Sequence, residues 1–166
     1  MLIAQVANFY GPQSGGLRTT LDQLGRGYVA AGNERLLIVP GARDDDRSGA
    51  YGRVITVASP ALGTTGYRVM PSWRKVASVV GGAGAGRLEV SDKVTLRRLG
   101  LWAADRGIPA VLVSHERLDA ILAARVPRAV PLVSWADRWN RRLVDAFPTV
   151  VCTSAFSRAE WERIAA

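Results

Sequence analysis

The 166-residue sequence contains a single cysteine, Cys152, and a single histidine, His115. One cysteine excludes an internal disulfide and is typical of a reducing compartment. Because Cys152 lies in an apolar run, we expect it to pack in the core. No apolar run approaches the length that spans a bilayer, and no basic segment precedes the first apolar run, as it would in a signal peptide. We therefore expect a cytoplasmic protein.

Lysine is also scarce, although the sequence as a whole is basic. Lys75 and Lys93 are the only lysines, and arginines raise the formal net charge to +8. Such a charge favours anionic partners, including phosphorylated small molecules and anionic lipid headgroups. The arginines are scattered and no basic run is interleaved with aromatic residues, so we expect no nucleic-acid partner. A solvated basic surface without a specific partner is the alternative.

The sequence lacks the signatures of several catalytic classes. It has no GxSxG elbow, no Cys–His arrangement and no metal-ligand spacing. The acidic run 44–46 lies between two arginines and beside Ser-Gly, which is typical of a solvated loop tip. We therefore expect no metal ion and no cofactor.

What is present is an alternation of short apolar runs and amphipathic segments, which predicts one α/β domain with a parallel sheet. The predicted strands are Leu2–Ala7, Leu36–Val39, Val54–Ala58, Arg87–Val90, Ala110–Ser114 and Val150–Thr153. The predicted helices are Leu17–Ala31, Trp73–Val80, Thr95–Arg106, Leu118–Ala124, Ser134–Ala146 and one that begins at Ser157. The glycine run 81–86 precedes a strand rather than a helix, so we interpret it as a flexible connection and not as a phosphate loop.

Polar residues at particular spacings predict how three helices begin. Asp92 is expected to cap the helix that follows it. Ser134 with Asp137, and Ser157 with Glu160, have the spacing of capping boxes.

Two other patterns predict packing. Trp135, Trp139 and Leu143 recur at steps of four, which predicts a buried stripe on one helix. Gly25 and Gly27 lower the helix propensity of the first helix, and we interpret them as places where that helix packs closely on the sheet.

The first strand runs into a loop that contains several glycines, and a helical pattern follows. A strand, a glycine loop and a helix together present bare backbone N–H groups and a positive helix end to an anion. Gly15, Gly16 and Arg18 are therefore candidates for binding a phosphorylated substrate. An ordinary βα turn, in which the glycines satisfy only the geometry, is the alternative.

Further candidates follow other strands, and ligands of open parallel sheets bind at the carboxyl ends of the strands. Tyr67 and Arg68 follow the third strand, Asp92 the fourth, and His115 and Glu116 the fifth. An imidazole titrates near neutrality and can hydrogen-bond sugar hydroxyls and phosphates. Alternatively, His115 fixes the turn after its strand. Glu116 could orient His115, bind a hydroxyl, or serve as a first-turn helix carboxylate.

Four segments resemble glycosyltransferase family 4, and they follow one another in the family's order. They are Asn8–Thr19, Leu88–Trp102, Val113–Asp119 and Val151–Glu160. The resemblance is strongest to the GDP-mannose-dependent α-mannosyltransferases that build bacterial glycolipids. The sequence departs from the family's pattern where the glycine run 81–86 leads into the fourth strand.

The resemblance implies a GT-B architecture, in which two Rossmann-like domains face each other across a cleft. Residues 1–166 would be the N-terminal, acceptor-side domain, because the family's donor-binding lysine, arginine and glutamates have no counterpart here. The reaction implied is metal-independent sugar transfer with retention at the anomeric carbon. Gly15 and Gly16 would lie near the donor phosphates or the acceptor, and His115 near the reacting sugar. Alone, the chain is expected to be inactive or nearly so.

The expected function is therefore transfer of a sugar, mannose from GDP-mannose, to a lipid or glycan acceptor. The basic charge would suit contact with an anionic membrane surface. A non-catalytic module that binds a glycolipid or a partner protein is the alternative. A nucleotide-cofactor oxidoreductase is disfavoured, because the first turn lacks GxGxxG and no acidic residue ends the second strand.

Overall fold

The computed structural model describes residues 1–11, 14–123 and 131–165. Within them, seven strands form one sheet: β1 (Leu2–Ala7), β2 (Glu34–Gly41), β3 (Asp45–Gly49), β4 (Gly52–Ala58), β5 (Arg87–Ser91), β6 (Ala110–Ser114) and β7 (Thr149–Cys152). The helices are α1 (Gly15–Ala30), α2 (Trp73–Gly82), α3 (Arg97–Ala104), α4 (Leu118–Ala123), α5 (Leu132–Ala146) and α6 (Ala155–Ala165). The predicted end of the fourth helix, Ala124, lies outside the described residues.

The sheet is parallel except at one edge, and its strand order is β3-β4-β2-β1-β5-β6-β7. β1 pairs in parallel with β2 on one side and with β5 on the other. Consecutive residues of β1 and of β2 are buried without alternation, as in strands that helices cover on both faces. The chain builds the sheet outward first on one side of β1 and then on the other, so the crevice between β1 and β5 is the topological switch point.

β3 contradicts the prediction that the acidic run 44–46 is a loop tip. Residues 45–49 pair antiparallel with β4. Asp46 accepts hydrogen bonds from Arg53, and Asp44 forms an ion pair with Lys75 at 2.7 Å. Every residue of β3 is exposed, so the strand has no apolar periodicity by which sequence could reveal it.

The main core lies between the sheet and helices α2, α3, α5 and α6. It includes buried side chains from β1, β5 and β6 together with Leu143 and Phe147. Cys152, half-buried, packs against this cluster, as predicted. A smaller cluster joins Leu21 of α1 to β1 and β2.

The predicted stripe on α5 is only partly buried. Leu143 is fully buried and Trp139 is half-buried, but Trp135 is 47% exposed. The two indole rings stack with their centroids 5.8 Å apart. The prediction is therefore wrong for Trp135, which covers its neighbouring ring rather than entering the core.

Both predicted capping boxes are wrong, because tertiary partners take the acidic side chains. α5 begins at Leu132 rather than at a serine cap, and Asp137 accepts hydrogen bonds from Arg163. In α6, the backbone N–H of Ser157 donates to the hydroxyl of Ser154 at 3.1 Å. Helix α6 therefore begins before the predicted serine.

Two glycine predictions are corrected by the helices themselves. Residues 81 and 82 are the last two residues of α2, so the glycine run is in part helical rather than wholly a flexible connection. A Cβ at Gly25 would lie 2.4 Å from Nε of Arg35, which confirms close packing on the sheet there. A Cβ at Gly27 would meet nothing within 4 Å, so the same prediction is wrong for that glycine.

Candidate functional site

A cavity of about 120 Å³ opens where β1, β5 and β6 end. The loops after these strands and the first turn of α1 supply its walls, which include Asn8, Leu17, Ser91, Asp92, His115 and Glu116. The carboxyl ends of parallel strands share one edge of the sheet, so segments that are distant in sequence meet here. The cavity is thus at the switch point where a ligand is expected.

Asn8 ties together the loop after β1, the loop after β5 and the segment before α2. Its side-chain nitrogen donates to the Asp92 carboxylate and to the Thr95 hydroxyl, both at 2.7 Å. Its side-chain oxygen accepts from the backbone N–H of Met70 at 2.8 Å. Because the amide is fully buried and bonded on both sides, Asn8 organises the site rather than presenting itself to a ligand.

Asp92 does not cap α3, contrary to the prediction. That helix begins at Arg97, and the Asp92 carboxylate instead accepts from the backbone N–H groups of Val94 at 2.6 Å and Thr95 at 3.2 Å. This is an Asx turn, in which a carboxylate closes the loop that follows its own residue. Asp92 remains part of the cavity wall.

The first turn of α1 borders the same cavity through Leu17. Arg18 makes an intrahelical bond, from its N–H to the carbonyl of Ser14 at 2.9 Å. The backbone N–H groups of the residues before Arg18 belong to the start of the helix, where no carbonyl of the same helix can accept a hydrogen bond from them. The Ser14 hydroxyl does not cap them, since it is bonded to Gly11. Gly15 and Gly16 are exposed at this helix end, as an anion site requires.

The other predicted residues lie further out. The Arg18 guanidinium is exposed, 5.5 Å from the ring centroid of Tyr10. Tyr67 contacts Phe9 edge-on, with ring centroids 6.2 Å apart. Arg68 donates to the carbonyl of Ser59 at 2.6 Å. Among the described residues neither of these last two predicted side chains lines the cavity, although Phe9 links the tyrosine to it.

Phe9 has a backbone φ of 56°, in the left-handed region. Bulky residues rarely adopt this conformation, and where the surrounding structure imposes it, it often marks a functional site. The neighbouring Asn8, whose side-chain nitrogen and oxygen both form hydrogen bonds, holds the backbone in this conformation. The Phe9 ring forms part of the cavity wall, a role that no sequence pattern indicates.

His115 is half-buried at the cavity, and its Nε2 atom lies 3.1 Å from the hydroxyl oxygen of Ser91. Burial lowers the pKa of His115, and the positive charge of Lys93 lowers it further. The ring is therefore neutral at neutral pH, with one nitrogen able to donate and the other able to accept. Glu116 is exposed on the rim beside it.

Lys93 and Glu160 form a buried ion pair next to this histidine, 2.6 Å from Nζ to Oε2. Burial lowers the pKa of Lys93, while the carboxylate of Glu160 opposes that shift. Sequence reasoning missed Lys93 and assigned Glu160 to a capping box. The two residues are 67 positions apart, so no local spacing relates them.

An open parallel sheet with its cavity at the switch point defines a Rossmann-like α/β domain. The model of Glycosyltransferase Family 4 matches residues 14–165. The chain belongs to this family, which confirms the resemblance found in its motifs.

Two curated relatives are the GDP-mannose-dependent alpha-(1-6)-phosphatidylinositol dimannoside mannosyltransferases of Mycobacterium tuberculosis strains H37Ra and CDC 1551. Each is 46% identical over 170 residues, covering all of this chain and 44% of the relative. The chain thus spans less than half the length of these relatives.

Solved structures show the same fold. A sucrose-phosphate synthase from Thermosynechococcus elongatus aligns with a TM-score of 0.61 at 14% identity, over 98% of this chain and 82% of that one. Acinetobacter baumannii MurG aligns with a TM-score of 0.53 at 11% identity, over 94% of this chain and 42% of that one. These GT-B neighbours confirm the predicted fold class. Within the described residues, no helix has the length and apolar character needed to cross a membrane.

Proposed function

We propose that residues 1–166 are the N-terminal, acceptor-side domain of a retaining glycosyltransferase whose donor-binding domain lies outside this chain. The proposed reaction transfers mannose from GDP-mannose to a lipid acceptor of the phosphatidylinositol mannoside class. The choice of sugar and acceptor is supported by the 46% identity to mannosyltransferases named for these substrates. We propose that the reaction uses no cofactor or metal and that the nucleotide-sugar is a substrate.

The observation that carries the proposal is that Leu17 and His115 line one cavity. A helix start offers N–H groups and positive potential to a phosphate. A neutral imidazole offers a hydrogen-bond donor or acceptor to a sugar hydroxyl. A nucleotide-sugar and a phosphatidylinositol mannoside headgroup each carry phosphate and hydroxyl groups, so a cavity that offers both kinds of contact suits them.

We assign the roles accordingly. The backbone N–H groups of Gly15 and Gly16 bind a phosphate of the donor or the acceptor, and Arg18 adds positive charge at the entrance. His115 contacts the reacting sugar, and its neutral ring hydrogen-bonds a hydroxyl there. Glu116, exposed on the rim, accepts a hydrogen bond from an acceptor hydroxyl.

The remaining predicted residues lie at the border of the site. We propose that Asp92 shapes the cavity wall, because Asn8, Val94 and Thr95 already occupy its carboxylate. Tyr67 and Arg68 are proposed to contact the outer part of the acceptor.

We also propose peripheral contact with an anionic membrane, where lipid acceptors reside. The net charge of +8 favours this contact, because anionic lipids attract basic surfaces. Sedimentation with vesicles tests this: we expect binding to vesicles that contain phosphatidylinositol, weakened by salt. Equal binding to vesicles of phosphatidylcholine alone would contradict it.

The test of the function is a transfer assay with the full-length gene product, GDP-mannose and phosphatidylinositol dimannoside, with the product detected by mass. We expect a lipid that is heavier by one hexose, and no product with the 166-residue chain alone. His115→Ala in the full-length protein is expected to lower kcat by about 100-fold or more, the scale of a contact that strengthens in the transition state. Acceptor binding without transfer would instead identify a non-catalytic binding module.

A further inference from the structure

The protein itself engages two of the three N–H donors of the Lys93 ammonium. The Lys93 ammonium donates to Glu160 Oε2 at 2.6 Å and to the backbone carbonyl of Glu116 at 2.5 Å. It also lies 4.9 Å from the ring centroid of Trp161. The side chains of the pair are 8% and 0% exposed. Lys93 is thus held in place by the protein, although it lies at the wall of the cavity.

The protein also engages both oxygens of the Glu160 carboxylate. Its Oε1 atom accepts hydrogen bonds from the backbone N–H groups of Leu118 at 2.7 Å and Asp119 at 3.2 Å. These groups begin α4, directly after the turn that contains His115. The buried carboxylate therefore fixes the far end of that turn.

Two indole N–H groups complete the frame around the turn. Trp139 donates to the backbone carbonyl of Lys93 at 2.6 Å. Trp161 donates to the hydroxyl of Ser114 at 2.9 Å, on the residue before the histidine. The backbone or side chains of residues 114, 116, 118 and 119 are consequently all held by this frame.

We propose that Lys93 and Glu160 are positioning residues: their buried ion pair locks the turn that presents His115 to the cavity. The inference rests on the proposed role of His115 at the reacting sugar. A buried ion pair is rarely more stabilising than a well-packed apolar pair, so fold stability alone does not account for placing one here. A fixed turn and a fixed positive charge beside the imidazole do account for it.

The charge of Lys93 also acts on the ring. Asp92 and Lys93 face His115 from the segment after β5, Glu116 and Arg117 lie on its own turn, and Glu160 approaches from α6. Of these, Lys93 lowers the pKa of His115, in addition to burial. The pair thus favours a neutral imidazole as well as a fixed turn.

Because His115 is the only histidine, NMR titration of a histidine-labelled 166-residue chain reports its pKa without ambiguity. In Lys93→Met we expect this pKa to rise toward its ordinary value near 6.5, with altered amide signals for residues 115–119. Lys75→Met is the matched control, since it removes the chain's other lysine from an exposed position, and it should change neither readout. An unchanged titration and unchanged amide signals in a folded Lys93→Met would overturn the proposal.

Lys93→Met leaves a buried carboxylate unpaired, and this variant is therefore the one at risk of not folding. Lys93→Met with Glu160→Met removes both charges and should fold. It should still show the raised pKa of His115 and faster hydrogen exchange at residues 118 and 119. In the unmodified chain these two amides should exchange as slowly as the core of β6. Exchange as fast as in an open loop would overturn the proposal without any variant.

In the full-length protein, the double variant should lower kcat at least tenfold and change the acceptor KM less than threefold. A purely structural role would leave kcat unchanged in a protein that still folds. If the unmodified protein transfers no sugar, the proposed function fails. The titration and exchange measurements then decide the positioning role on their own, because neither needs substrate.

Discussion

The Nε2 atom of His115 lies 3.1 Å from the hydroxyl oxygen of Ser91. This single hydrogen bond joins the carboxyl ends of β6 and β5, whose parallel pairing brings both residues to the same edge. One ring nitrogen is therefore engaged by the protein. The orientation of the imidazole is set by a neighbouring strand rather than by the local sequence.

Ser91→Ala removes the hydroxyl group that orients the imidazole and introduces no charge. A hydrogen bond of this kind contributes about 1 kcal/mol, so we expect kcat of the full-length protein to fall roughly fivefold. Ser78→Ala, on the exposed side of α2, is the control and should have no effect. Nitrogen chemical shifts of the ring should also move in Ser91→Ala, and unchanged shifts would show that the serine does not orient it.

The stability of the chain should depend on pH through His115. Its folded pKa is lowered, by burial first and then by Lys93, whereas unfolding restores a value near 6.5. Between the two values the unfolded state binds more protons, so the free energy of unfolding rises with pH. The neutral imidazole of His115 therefore allows the folded state its full stability above about pH 6.5. That stability is lost as the pH falls through the folded pKa and the buried ring gains a proton.

Urea unfolding at pH 7.5 and pH 5 measures this dependence. His115→Gln cannot titrate, so it should lose less stability on acidification than the unmodified chain does. Equal losses in both proteins would mean that the folded pKa of the imidazole is not lowered.

Gly25 and Gly27 should respond in opposite ways to alanine. Alanine at position 25 would collide with the Arg35 side chain, which cannot move aside because it is buried and bonded to Gln5 and the carbonyl of Leu21. We expect Gly25→Ala to lower the free energy of unfolding by about 1–3 kcal/mol. Gly27→Ala meets open space and should raise it by up to about 1 kcal/mol. Thermal unfolding of the pair tests this, and stabilisation by both would contradict the packing of α1 on β2.

The apolar strands could be predicted from sequence because burial leaves a local trace. β1 is apolar except for Gln5, and β2 contains the apolar run Leu36–Val39. β3 leaves no such trace, because its five residues are all exposed and its pairing is decided by the hairpin with β4.

The candidate site was predictable to the extent that topology determines it. Residues after parallel strands must share an edge, so the order of strands and helices along the sequence is enough to place the start of α1 and His115 at the same edge of the sheet. Lys93 and Glu160 could not be paired in this way, because a lone lysine is typical of the surface and a glutamate three residues after a serine is typical of a helix start. Their partnership arises only when α6, which packs against α5 and β7, brings Glu160 to the segment after β5.

Asn140 offers a separate test of the packing of α5. Its side chain is fully buried, and neither its nitrogen nor its oxygen has a hydrogen-bond partner in the described part of the chain. Asn140→Leu keeps the branched shape and removes the unpaired polar atoms, so we expect a gain of about 1–3 kcal/mol in the free energy of unfolding. Asn140→Asp should instead destabilise, because it buries a charge. A loss of stability in the leucine variant would indicate that the amide has a partner.

The most direct test of the account is NMR titration of the isotope-labelled chain with a soluble mannosylated inositol phosphate, the headgroup of the proposed acceptor. Saturable shifts should appear together in the amides of Gly15, Gly16 and Leu17 and in the ring of His115, since Leu17 and His115 line one cavity and the two glycines begin the same helix. Shifts that fall on the opposite edge of the sheet, or that change one of these two places without the other, would contradict a shared acceptor site.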